Sequence, residues 1–244
     1  MDQFMEIKHE HPGTILFFRM GDFYELFHED AEVAAPVLGL ALTSRDKNAA
    51  QPIPMAGFPW HALEDNLKIM LKSGFKVTVA EQEQELREGA KLLERVVTRI
   101  YTPGSLYEES LLATDERSVL SSVVLAKSSL SMAVIDSSTG ESWASTWIDN
   151  ERFSSLEDEL LRWNPAEIVI SPKDAENSEL CAIFANLDNC VISQHRVNKK
   201  RRLERLESLL EVSDLGHLDL DNSPLSIEAA GFAADYLAEV HFCL

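Results

Sequence analysis

The pattern of apolar and polar positions changes period several times along this chain. Residues 2–10 have the spacing of a short helix, closed by His11-Pro12-Gly13. The run "TILFFRM", residues 14–20, has the composition of a buried strand and is broken by Gly21-Asp22. From Tyr24 to Leu38 the period becomes helical, with Tyr24, Phe27, Ala31, Ala34, Ala35 and Leu38 on one stripe. Residues 40–45 alternate as a strand does, 46–54 form a loop, and 60–73 form a helix with Leu63, Leu67 and Met70 inward and Gly74 as its stop. Strands are predicted at "FKVTVAEQ", 75–82, and "VVTRIY", 96–101, on either side of a charged segment.

The second half has a different texture. "SVLSSVVLA", "LSMAVIDSS" and "ESWASTW" predict a three-strand meander. Helices over 152–163, 174–186 and 200–211 then alternate with the strands "AEIVIS" and "CVISQ", the mark of an α/β domain. Ser226 opens an amphipathic helix that runs into the C-terminus without a stop signal, which is expected of the start of a longer, helical domain. The expected organisation is a domain over 1–103, a linker over 104–117, a second domain over 118–225 and the beginning of a third over 226–244.

Composition narrows the function classes. Hydrophobic residues make up 45% of the 244, enough for real cores. No apolar run approaches the roughly 18 residues of a membrane helix, and the N-terminus lacks the basic and apolar regions of a signal peptide. The three cysteines, Cys181, Cys190 and Cys243, have no CxxC spacing. This argues against a disulfide framework and a zinc site, and fits a cytoplasmic protein. The net charge is −19, of which −5 falls on residues 1–103 and −14 on 104–244. Neither half is a broadly basic nucleic-acid binder, so any contact with DNA has to rest on a local site.

One stretch, "RMGDFYELFHEDA", raises such a site. Asp22 can cap a helix, and Glu25 three residues on can complete a capping box. That reading leaves Phe23 unexplained, because it falls at the flank of the apolar stripe. If the helix starts later, residues 23–25 are extended and Phe23 and Glu25 point the same way. An exposed aromatic beside an acid is then a binding feature.

"FRMGDFYELFHEDA" and "PIPMAGFPWHALEDNL" closely resemble the mismatch-recognition domain of the bacterial MutS mismatch-repair family. "VTRIYTPGSL", "VIDSSTGES", "NPAEIVIS" and "AAGFAADYL" are similar to that family's next segments in the same order, so the resemblance spans the chain. It implies a mixed-sheet α/β mismatch-recognition domain, then a ribonuclease H-like α/β connector domain, then the start of a helical domain. It also implies that Phe23 enters the minor groove and stacks on a mispaired base while Glu25 hydrogen-bonds that base. An apolar wedge unstacks a base step at a cost of a few kcal/mol and gains a kinked, more extensively contacted duplex. A mispaired base is already poorly stacked, so deformability selects it. Negative potential and desolvation favour the neutral form of Glu25, which alone can donate to a purine ring nitrogen.

Further positions follow from the resemblance. Arg45 matches an Arg in the family's strand-to-loop segment, and Met55 a residue that lines the groove beside the wedge. Arg19 and Lys47 are candidate phosphate contacts, and His61 helps to start the next helix. The sequence departs from the family at Ala80, where Cys is frequent, and over 83–94, where a turn is replaced by an acidic segment. Expected partners are double-stranded DNA with mismatches or small loops, a MutL-like protein through the connector, and a second copy in the full-length form, with no membrane. The sequence has no G-x-x-x-x-G-K-[ST] motif, so ATP and Mg are expected only of a full-length family member, and this chain is not expected to be an enzyme. Two alternatives stand beside this. One is a metal-dependent nuclease centred on Asp136 at the end of an apolar strand, against the simpler reading of a turn-capping Asp. The other is a protein-interaction fragment without DNA activity. The basic run "NKKRRLER", 198–205, has the pattern of a salt-bridged helix face.

Overall fold

The computed structural model describes residues 1–45, 51–83, 93–106, 117–196, 198–211 and 223–241. Lys47 and most of the acidic segment 83–94 lie outside the described residues. The chain divides into two compact units, Met1–Thr102 and Pro103–Val240.

The first unit is a mixed sheet of six strands: β1 (Ile15–Met20), β2 (Phe23–Phe27), β3 (Thr43–Ser44), β4 (Pro54–Pro59), β5 (Val77–Gln82) and β6 (Arg95–Tyr101). Their order is β3-β4-β2-β1-β5-β6, and only β1 and β5 run parallel. One face carries the buried Phe17, Tyr24, Leu26 and Phe58. Helices α2 (His28–Leu38) and α3 (Leu63–Lys72) pack on one another and on β4 and β5. The other face is covered in part by α1 (Asp2–Glu10), whose Phe4 meets Phe18 and Phe27 edge-on at centroid distances of 5.7 and 5.2 Å. That face is left open beyond Phe27.

Two expectations change here. The helix predicted from Tyr24 begins only at His28, and residues 23–27 are a strand. Tyr24 and Phe27 are both buried but on opposite faces of the sheet, and with Ala31, Ala34 and Ala35 buried in the helix the sequence spacing imitates one helical stripe. Residues 54–59, expected as loop and turn, form β4. Its two prolines stand at the first and last positions, where a strand tolerates a missing donor.

In the second unit, β7 (Val119–Leu125), β8 (Ser129–Asp136) and β9 (Ser142–Ile148) form the expected antiparallel meander. Strands β10 (Glu167–Ile170) and β11 (Val191–Gln194) add in parallel beside β7, giving the order β11-β10-β7-β8-β9. A meander extended by two parallel strands from its first member fits the ribonuclease H-like expectation. Val119, Val123, Met132, Ile168 and Ile170 pack against Leu156, Leu160 and Trp163 of α4 (Arg152–Trp163) and Leu180 and Ile183 of α5 (Ser178–Phe184). α5 is shorter than predicted because Asn177 caps it, its Oδ1 accepting from the amides of Glu179 and Leu180 at 3.0 Å each.

Among the described residues, the remaining helices are α6 (Lys199–Leu209) and α7 (Pro224–His241). α7 was expected to open a third domain, but it belongs to the second unit. Its Ala229 carbonyl accepts from Ser122 Oγ at 2.6 Å, Ser226 Oγ pairs with Thr146 Oγ1 at 2.7 Å, and Tyr236 OH donates to Glu167 at 2.6 Å. Its apolar positions are explained by burial, with Ala229, Phe232 and Ala233 fully enclosed. A Cβ on Gly231 would stand 2.5 Å from the Arg202 carbonyl oxygen, so glycine is what lets α6 lie this close. Residues 104–106, expected in the linker, also belong here: the Gly104 amide donates to Glu167 at 3.2 Å and the Leu106 amide to Ser118 Oγ at 2.9 Å.

Candidate nucleic-acid interface

The opening residues of β2 sit at the end of a tight hairpin. Gly21, with φ of +62°, supplies the left-handed position of the two-residue connection from Met20 to Phe23. The Trp60 amide donates to the Asp22 carbonyl at 2.9 Å, tying this turn to the end of β4. Phe23 pairs with Met20 on one side and Pro59 on the other, Glu25 with Phe18 and Gly57, and Phe27 with Met55. Residues 23, 25 and 27 therefore face the same way. Phe27 is 1% exposed beneath α1, Glu25 is half-buried, and Phe23 is 47% exposed. The capping reading fails, since the chain is extended through Glu25 and the following helix has no side-chain cap.

Gly57 lies opposite Glu25. A Cβ there would come within 2.9 Å of the Tyr24 carbonyl oxygen and 3.7 Å of Glu25 Cγ. Glycine thus leaves the surface beside the carboxylate bare. Burial raises the Glu25 pKa above the ordinary carboxylate value, and the positive charges of Arg45 and Arg95 oppose the rise. A carboxyl held up by desolvation and flanked by two cations is poised to take a proton when negative charge approaches.

Arg95 is the residue that sequence reasoning missed. It stands opposite Gln82 in the β5–β6 register, donates to Gln3 Oε1 at 3.3 Å and to the Leu93 carbonyl at 2.7 Å, and lies 5.4 Å over the Phe18 ring. Only the register, which brings the start of β6 beside the end of β5, reveals that it shares the Glu25 face.

The nominated residues divide between the two faces. Arg45 is exposed, with its guanidinium 5.5 Å from the Phe27 ring centroid, and it acts on Glu25. Met55 is half-buried on the same face, packed against the Phe4 and Phe27 cluster. Arg19 does not join them. It pairs with Tyr24 in the hairpin register, lies 5.3 Å over both Tyr24 and Trp60, and faces Glu81 at 3.9 Å. Strand alternation sends it to the face opposite Phe23. His61 lies in a single 3-10 turn, Trp60–Ala62, that leads into α3.

Asp136 takes the shape of the simpler reading. It is fully buried, its Oδ1 accepts from the Ser138 amide at 2.9 Å and hydroxyl at 2.5 Å, and Arg117 Nε donates to Oδ2 at 2.6 Å. Burial pushes its pKa up, but the Ser138 hydrogen bonds and the Arg117 pair outweigh that and hold it below the ordinary carboxylate value. Its stabilisation is therefore complete above the ordinary carboxylate range and is lost as pH falls through the lowered value. Asp136→Ala is expected to cost about 1–3 kcal/mol by orphaning the Ser138 donors. Thermal melts should show the gap between parent and variant closing in acid; a constant gap would refute this account.

Among the described residues, one cluster has metal-ligand spacing: His195, Asp235 and Glu239. His195 Nε2 lies 2.8 Å from Asp235, whose other oxygen takes Arg201 Nε at 2.8 Å, with Arg205 Nε at 3.7 Å. Both Asp235 oxygens are thus taken, one by His195 and the other by Arg201, so the cluster is a side-chain hydrogen-bond and ion-pair network. It also accounts for the basic run of α6, in which Lys199 and Arg202 each reach Glu228 at 2.8 Å.

Comparison with known proteins agrees with this architecture. The family description "MutS domain I" matches residues 1–110, and "MutS domain II" matches residues 117–241. DNA mismatch repair protein MutS of Dehalococcoides mccartyi strain CBDB1 is 37% identical over 97% of this chain and 27% of its own length. That of Halothermothrix orenii is 36% identical over 98% and 27%. That of Caldanaerobacter subterraneus subsp. tengcongensis is 32% identical over 98% and 28%. The chain thus spans little more than a quarter of the length of these relatives. A solved intasome of simian T-cell lymphotropic virus, in complex with PP2A regulatory subunit B56 gamma, has a chain similar at 17% identity over 47% of this one, with a TM-score of 0.26, too low to carry an argument. On the two family matches, the chain belongs to the MutS family and carries its first two domains.

Proposed function

We propose that this chain recognises mispaired or unpaired bases in double-stranded DNA for mismatch repair. The observation that carries the reading is Phe23: an aromatic ring 47% exposed at the start of an interior strand, on the same face as a desolvated carboxyl flanked by Arg45 and Arg95. The ring is the wedge that enters the minor groove at a weakly stacked step. Glu25 hydrogen-bonds the unstacked base as a neutral acid, and Arg45 answers a nearby phosphate. The local cations meet the objection that the domain as a whole is acidic. The names of the relatives, DNA mismatch repair protein MutS, support the same reading.

In this account the second domain relays between the DNA site and an ATPase carried by the longer family members, which use ATP and Mg and act as homodimers. It also offers a surface to a MutL-like partner. The present chain binds and does not catalyse. Metal-dependent cleavage at Asp136 is disfavoured, because that carboxylate is committed to Ser138 and Arg117.

The test is direct binding of the 244-residue chain to mismatched and matched duplexes. Affinity is expected to be weak, about micromolar or poorer, and to fall with salt, as a few phosphate contacts dictate. The mismatched duplex should bind better. Equal binding to both duplexes, or tight binding that salt leaves unchanged, would count against the proposal.

A further inference from the structure

The second domain has a cation-lined groove that DNA recognition leaves unused. Strands β7, β10 and β11 are parallel neighbours. In sheets of this kind, ligands bind beyond the carboxyl ends of the strands. Two cavities lie at those ends. One, of about 470 Å³, is lined by Ser171 just after β10, His195 just after β11, and by Lys173, Glu176, Arg196 and Arg202. The other, of about 570 Å³, begins at Leu125 on β7 and adds Lys127, Arg152 and Asp174. They share Lys173 and Glu176 and so form one groove. Among the described residues, five cationic side chains against two acidic ones line it, in a half of the chain whose net charge is −14.

Two observations point to an anion. The exposed side chains of Lys173 and Arg196 have no ion-pair or hydrogen-bond partner among the described residues. Arg202 is 8% exposed, with Nη1 donating to Glu228 at 2.8 Å and its guanidinium 4.0 Å from the Phe232 ring centroid. Its buried Nε–H has no acceptor among the described residues. A buried guanidinium donor left unpaired is costly, and an oxyanion would relieve it. His195 is already held by Asp235 and stacked on Phe232 at 5.6 Å, so it serves as a fixed wall.

We propose that this groove binds a small phosphate-bearing molecule. The phosphoryl oxygens would take the Arg202 Nε–H and the charges of Lys173 and Arg196, since guanidinium geometry suits phosphate. The cavity volumes are those of small-molecule sites. Glu176 opposes the anion and sets a ceiling on its charge.

The experiment is a titration of the 244-residue chain with inorganic phosphate, at constant ionic strength, read on the arginine Nε–H resonances. The Arg202 signal is expected to shift saturably at roughly millimolar concentration. The double variant Lys173→Ala, Arg196→Ala alters only exposed positions and should weaken binding by about tenfold or more, the value of one or two charge-assisted contacts. Glu176→Gln should tighten it. No saturable shift, a shift that chloride reproduces, or one that the double variant leaves unchanged would overturn the proposal. A DNA duplex that displaced phosphate from these signals at far lower concentration would overturn the small-molecule reading in favour of a nucleic-acid surface.

Discussion

Phe23→Ala is expected to leave the melting temperature nearly unchanged while removing the preference for mismatched over matched duplex. The ring is 47% exposed and begins a strand whose register is fixed by its neighbours, so its loss opens no cavity. Stacking of one base on one aromatic is worth about 1–3 kcal/mol, so the preference should fall by roughly tenfold or more. Phe27 is the internal control. It lies four residues along the strand on the same face but is 1% exposed, edge-on to Phe4 at 5.2 Å. Phe27→Ala should cost the roughly 3–5 kcal/mol of a core aromatic and lower the melting temperature by many degrees. The two variants separate wedge from core on one strand, and paired melts and duplex titrations of a full-length family member read both. A Phe23→Ala protein that melts several degrees lower and still discriminates mismatches would show that the ring is structural.

How far the sequence discloses this arrangement depends on the element. "ILFFRM" and "VTVAEQ" are apolar runs bounded by turn residues, and both are strands with little shift in boundary. The meander and the α/β alternation of the second domain were legible for the same reason: each element keeps one period between breakers. β2 was obscured because Tyr24 and Phe27, buried on opposite faces of the sheet, fall at helical spacing with the buried alanines of α2. β4 was hidden by its prolines and glycine, although Gly57 is required there by the nearby Tyr24 carbonyl. α7 has no sequence signal for the domain it joins; its partners Ser122, Thr146 and Glu167 lie between 69 and 107 residues away.

The site shows the same division. Phe23 and Glu25 could be paired from an i,i+2 spacing once the segment was taken as extended. Arg95 could not be, because its proximity to Glu25 follows from a parallel β1–β5 pairing and a bulged β5–β6 register. Arg19 illustrates the converse. It is four residues from Phe23 in sequence, yet the hairpin turns it to the opposite face. Nearness along a strand says little about a shared surface unless parity and turn length are both known.

Glu25→Gln is expected to abolish most of the pH dependence of mismatch binding. In the free protein burial already raises the Glu25 pKa, against the pull of Arg45 and Arg95. A raised carboxyl pKa means that the folded chain holds a proton the unfolded chain releases, so this group costs stability as pH climbs through the raised value. DNA brings phosphates close and excludes water, and both push the pKa higher still. Binding therefore takes up a proton and weakens with rising pH, by up to about tenfold per pH unit for one coupled proton above the raised value in the free protein. Gln keeps a donor and removes the charge, so the variant should bind both duplexes at least as well as the parent, with a flat profile. Arg45→Ala gives the complementary result. Removing a cation that favours the ionised form should move the onset of weakening to higher pH, even as lost phosphate contact lowers affinity overall. Duplex titrations across pH at fixed salt measure both. A Gln variant with the parent's slope, or an Arg45→Ala variant whose onset moves down, would show that the carboxyl does not act as a neutral donor.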